Sequence, residues 1–167
     1  MFTHAVEEKY FKEHLNKTHK VLEWGSGLST PEISTQVDFL VSIEHNTEWY
    51  EKIKSLLSGG NITNCKYLLR PPNPEGIGEI GDGENLYVNF KNYVDSPIDE
   101  GPFDIILIDG RARVSCASKC HLLGHKDTIV FIHDFTLTNR SYYMKSLEYL
   151  EHIETTVTMA KFKIKNL

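Results

Sequence analysis

The chain lacks several features that would each have pointed to a function. Although 40% of its 167 residues are hydrophobic, no apolar run comes near the roughly 18 to 20 residues that a membrane span requires. There is no basic surplus: 18 lysines and arginines stand against 23 acids, a formal net charge of −5. A broad basic face for nucleic acid is therefore not expected. Cysteine is scarce. Cys65, Cys116 and Cys120 are an odd number without a CxxC pair, so they read as idle thiols in a reducing compartment. The polar, acid-bearing first 17 residues resemble neither a secretory signal nor a transit peptide. A single cytoplasmic domain is the expectation, and its oligomeric state is left open.

What is present is alternation. Phe2, Val6, Tyr10, Phe11 and Leu15 recur at helical spacing, which predicts a helix over 3–16. Short strands follow at 20–24, 39–44 and 65–69. The nearly continuous apolar runs at 103–109 and 128–133 are those of strands buried on both faces of a parallel sheet. Pro31 suits the start of a short helix, with Thr30 as its cap. Asn46 or Thr47 can cap a helix over about 47–57, ended by Ser58-Gly59-Gly60. Further helices are expected at about 111–123 and 139–150. An antiparallel pair over 152–158 and 160–166 would turn near Met159-Ala160. Residues 70–102, which hold most of the prolines, form a long loop. Leu86, Tyr87, Phe90, Tyr93 and Val94 predict a short helix within it, with Tyr87, Phe90 and Tyr93 as candidates for stacking on a ligand. The pattern is that of an α/β doubly wound, mostly parallel sheet, whose ligands lie outside the carboxyl ends of its strands.

The first strand runs into Glu23-Trp24-Gly25-Ser26-Gly27-Leu28-Ser29-Thr30. A dinucleotide fingerprint needs a third glycine where Thr30 stands, and a P-loop needs a lysine that is missing. A carboxylate at Glu23 would repel a pyrophosphate and suit a cationic or hydroxyl-bearing ligand. The second strand ends in Glu44, which can accept from both hydroxyls of a ribose. The fourth and fifth runs end in Asp109-Gly110-Arg111 and His133-Asp134. Two acids closing neighbouring strands can hold a divalent cation or share a base role.

An acid before GxG and an acid closing the next strand resemble the class I S-adenosylmethionine-dependent methyltransferases, whose fold is a seven-stranded Rossmann-like sheet ending in an antiparallel pair. The resemblance spans Val21 to about Lys165. It implies that S-adenosylmethionine is the cofactor. Glu23, Gly25, Ser26, Gly27, Ser29 and Thr30 would hold its amino-acid end, Glu44 its ribose, and His45 and Trp49 would flank its adenine. The Asp109 and Asp134 ends resemble the metal-assisted O-methyltransferases of the catechol and macrocin types, which implies a small polar molecule or a glycan sugar as acceptor and Mg or Mn at Asp109 and Asp134. Arg111 stands where a second acid is usual, so Asp109, His133, Asp134 and Arg111 are the candidate catalytic group, with or without metal. The (D/N)PP(Y/F) signature of base N-methylating enzymes is missing after the fourth strand. Arg113 is expected on a helix surface. Two other readings stand beside this one: a non-catalytic nucleotide-binding domain of the same fold, and an NAD-dependent oxidoreductase, which Glu23 and the missing glycine disfavour.

Overall fold

The computed structural model describes residues 4–73, 87–136 and 138–165. Seven strands form one sheet: β1 Lys20–Trp24, β2 Phe39–Glu44, β3 Cys65–Leu69, β4 Phe103–Ile108, β5 Gly124–Ile132, β6 Leu150–Thr156 and β7 Met159–Ile164. Their order is β3-β2-β1-β4-β5-β7-β6. β1 to β5 are parallel, and β7 runs antiparallel to both β5 and β6. Because the chain leaves β1 first to one side and later to the other, the carboxyl ends of β1, β2 and β4 frame a crevice.

The apolar runs are explained by two cores. Leu22, Trp24, Ile106, Ile108, Val130 and Ile132 face one way, towards helices α4 (Lys91–Asp95) and α5 (Arg113–Leu123). Val21, Leu40, Ile105, Leu107 and Phe131 face the other, beneath α1 (Ala5–Lys12) and α2 (Thr30–Ser34), which contribute Phe11 and Ile33. Successive strand residues point to opposite faces, so a strand covered on both sides has to be apolar at every position. Among the described residues, no helix is long and apolar enough to cross a membrane.

Several boundaries differ from expectation. Helix α3 (Thr47–Gly59) is capped as foreseen, Asn46 Oδ1 accepting from Trp49 N at 2.8 Å. Helix α5 starts at Arg113 because Ala112 adopts a left-handed conformation, φ 51°. Thr138–Glu148 is a 3-10 helix rather than an α-helix over 139–150; its Asn, Ser and paired Tyr residues are weak α-helix formers. The hairpin turns at Val157 and Thr158, two residues earlier than expected, since Met159 and Ala160 are fully buried and pair within β7. The expected helix in the long loop is a 3-10 turn, Tyr87–Phe90, followed by α4. Residues 74–86 of the expected loop, Leu86 among them, lie outside the described residues.

Candidate active site

The glycine turn after β1 meets another turn before it meets any ligand. Gly25 has φ 94°, and a Cβ there would lie 2.5 Å from Gly110 Cα. A Cβ on Gly110 would lie 2.0 Å from Tyr93 Oη. The two turns thus pack backbone to backbone, a fit only glycine permits. Asp109 N donates to Trp24 O at 2.8 Å, and Gly25 N donates to Ile43 O at 2.9 Å. These contacts bring the ends of β1, β2 and β4 together. Gly110 had no role in the sequence reading. The signal available was its place directly after a fully apolar strand. Trp24 belongs to the core, its Nε1–H donating to Tyr93 O at 3.1 Å.

Glu23 lies beneath the turn, 1% exposed. One carboxylate oxygen accepts from Thr30 Oγ1 at 2.8 Å and from Ser42 Oγ at 2.5 Å, while Thr30 Oγ1 accepts from Gly27 N at 2.8 Å. The cap foreseen for Thr30 is therefore not made. Its hydroxyl is used on both sides inside the turn and is not free for a cofactor carboxylate. Ser29 occupies the cap position, half-buried and without a side-chain cap bond. Burial pushes the Glu23 carboxyl up to about 7, against the hydrogen bonds from Ser42 and Thr30.

A cavity of about 550 Å³ opens beside this turn, lined by Gly25, Ser26, Glu44, His45, Trp49 and Asp109 among others. That volume is within the usual range for a small-molecule site. Glu44 Oε2 accepts from Ser26 N at 3.0 Å and Ser26 Oγ at 2.8 Å; Oε1 accepts from His45 N at 2.9 Å and Asn46 N at 2.8 Å. Burial pushes this carboxyl up, but the bonds from His45, Asn46 and Ser26 outweigh it and hold it below the usual range. Ser26 Oγ also lies 2.7 Å from Tyr67 Oη. The hydroxyl thus has a second partner if a ligand takes its place on Glu44. Trp49 Nε1 donates to Ser26 O at 2.8 Å, and Lys52 Nζ lies 4.4 Å from the Trp49 ring centroid. His45 meets the rings of Phe90 and Tyr93 edge-on. Those two rings, candidates for stacking on a ligand, are buried and belong to the core. Tyr87 turns its hydroxyl to Asp95.

At the ends of β4 and β5, Asp109, His133 and Asp134 come together as the sequence suggested, with two additions. His133 Nδ1 is 2.7 Å from Asp109 Oδ1, and Nε2 is 3.3 Å from Glu7 Oε2 and 3.7 Å from Asp134 Oδ1. Glu7 comes from α1, 126 residues away in sequence. It is held by Thr158 N and Thr158 Oγ1, both at 2.7 Å, and by Met159 N at 3.0 Å. An ionised carboxylate only accepts, so a histidine facing carboxylates through both nitrogens must donate from both and carry charge. Burial alone would lower the imidazole pKa, but Asp109, Asp134 and Glu7 raise it. In that charged form the imidazole has no lone pair left to take a proton, which weighs against a base role for His133 within the candidate catalytic group.

The second addition is Arg113. Expected on a helix surface, it is 5% exposed. Its Nη2 lies 3.6 Å from Asp109 Oδ1 and 3.3 Å from Asp134 Oδ2. Nε donates to Gly110 O at 2.9 Å, Nη2 to Asp109 O at 3.3 Å, and Nη1 to His133 O. The left-handed Ala112 and Asp134, φ 51° and 56°, turn the chain on either side of this guanidinium. Half-buried Arg111, placed at the centre by the sequence reading, receives the Cys116 thiol on its carbonyl at 3.7 Å.

No protein-family model matches the chain, and no curated protein matches it by sequence. Its fold has many counterparts among solved structures. A methyltransferase-like protein from Silicibacter pomeroyi superposes with a TM-score of 0.72 at 17% identity, over 98% of this chain and 88% of that one. A Streptococcus mutans protein assigned as a methyltransferase, solved in complex with SAH, gives 0.64 at 10% identity over 98% and 99%. The tRNA (m1A58) methyltransferase of Aquifex aeolicus gives 0.65 at 16% identity over 99% and 71%.

Proposed function

From a chain with the Rossmann-like methyltransferase fold, we propose that this protein transfers a methyl group from S-adenosylmethionine to a polar acceptor. The observation that carries the reading is the cavity framed by the Gly25 turn, Glu44 and Asp109, in which acids stand where a phosphate binder would need donors. The residues suit the cofactor. Glu44 faces the cavity at the end of β2, where a ribose diol can replace Ser26 Oγ as donor. His45 and Trp49 offer rings to an adenine. Asp109, at the far side of the Gly25 turn, carries the negative charge that suits a sulfonium.

The cofactor supplies an already activated methyl group, so the protein's task is to align the reacting atoms and exclude water. The acceptor expected from sequence, a hydroxyl of a small polar molecule or glycan, must lose its proton as it attacks. Asp109 is the cavity-lining acid nearest that task. Burial raises its carboxyl pKa, but His133 and Arg113 outweigh burial and hold it below the usual range, which makes it a weak base. That observation favours a second reading, a nitrogen acceptor, which attacks through its lone pair, needs no strong base in the transfer step and releases its proton to solvent afterwards. The net charge of −5 supports a small acceptor over a nucleic acid. Calorimetry with S-adenosylhomocysteine and with NAD tests the cofactor assignment. The homocysteine compound is expected to bind and NAD not to. Binding of NAD alone would remove the reading.

A further inference from the structure

Asp109, His133 and Asp134 each offer one ligand atom, and these atoms lie within 4.8 Å of one another. Donor type and spacing are those that a metal ion could use. The surroundings disagree. Both nitrogens of His133 face carboxylates, so neither presents the lone pair a metal needs. Asp109 and Asp134 already share a positive charge, the Arg113 guanidinium at 3.6 and 3.3 Å. That guanidinium cannot swing aside without abandoning the carbonyls of Asp109, Gly110 and His133, which are hydrogen-bond acceptors that it satisfies.

We propose that Arg113 permanently holds the place of a divalent cation in this centre, which therefore works without metal. The guanidinium is a positioning group: it fixes the carboxylates of Asp109 and Asp134, and through Asp109 the edge of the cavity. Its planar fork spans two carboxylates and several carbonyls at once, which a lysine ammonium cannot do. The inference rests on the donors of this centre. Because its test reads metal uptake, its failure is distinguishable from failure of the methyl-transfer reading, which cofactor binding decides.

The test is titration of Mn²⁺ alone into the full chain, followed by the electron paramagnetic resonance signal of the free ion, with and without S-adenosylhomocysteine. The wild-type chain is expected to take up no stoichiometric Mn²⁺ at millimolar concentration. Arg113→Met, of similar length and without charge, should bind about one Mn²⁺ per chain at least tenfold more tightly than wild type. Adding Asp109→Asn should abolish that gain. Arg113→Lys, which keeps the charge, should not acquire the site. One Mn²⁺ per wild-type chain, lost in Asp109→Asn, would overturn the proposal. So would a folded Arg113→Met that binds Mn²⁺ no better than wild type. If Arg113→Met does not fold, the wild-type titration still decides.

Discussion

At the scale of single residues, the acids of this site divide by what surrounds them. Glu44 and Asp109 are held ionised by donors, whereas Glu23 is buried with two hydroxyls and its carboxyl rises to about 7 from an ordinary 4.5. A raised pKa means the fold favours the protonated form. That contribution is complete below pH 4.5 and is lost as pH rises through about 7. At about 1.4 kcal/mol per unit, the loss is about 3 kcal/mol. Glu23→Gln keeps an oxygen for Thr30 and Ser42, which both donate to the same atom, and removes the titration. Denaturant unfolding at pH 5 and pH 8 should show wild type losing about 3 kcal/mol more than the variant. Parallel losses in the two proteins would refute this account of Glu23. The acid before the glycines was plain in the sequence. Its burial was not, because Ser42, its partner on the neighbouring strand, is 19 residues away.

At the scale of elements, the central feature is the contact between the turns after β1 and β4. It explains why each strand ends in a glycine within two residues, at Gly25 and Gly110. Gly110→Ala would drive a methyl group into Tyr93 Oη and the Gly25 backbone. Overpacking of this kind costs about 3 kcal/mol, readable as a lowered urea midpoint with unchanged slope. Because the nearest atom is the tyrosine hydroxyl, Tyr93→Phe in the same chain should recover part of the loss. No recovery would mean that the Gly25 backbone sets the limit. Local signals found most elements: the Asn46 cap, the Pro31 start and the apolar runs all stood in the sequence. They failed where a single backbone conformation decided the outcome. Ala112 delays α5 by adopting a left-handed conformation, and that shift turns inwards Arg113, which was expected on a helix surface.

At the scale of the whole molecule, α1 is tied to the site by Glu7, which joins the hairpin turn at Thr158 to His133. The ionisable groups of this cluster set opposing limits on stability. Glu7, Glu44 and Asp109 have lowered pKa values; burial opposes the shift, and hydrogen bonds and positive neighbours prevail. Their contribution is present above ordinary carboxylate values, about 4, and is lost as pH falls further. His133 is raised, so its contribution is present below an ordinary 6.5 and is lost as pH climbs through its folded value. With Glu23 added, the melting temperature should peak between about pH 4.5 and 6.5 and fall on both sides. In Glu23→Gln the peak should move towards neutrality. A wild-type maximum at pH 8 would contradict this.

The sequence by itself determined the alternation of strands and helices, the doubly wound class, the position of the ligand turn and the acids that close β2, β4 and β5. Each of these is written in local periodicity or in residues next to a strand end. Only the tertiary structure decided which of those groups are free to act. It buried Glu23 and Thr30 beneath the turn and brought Glu7 across the fold to His133. It also set Arg113 between two carboxylates. Hydrogen-bond satisfaction among buried groups depends on every neighbour at once, and spacing along one chain does not carry that information.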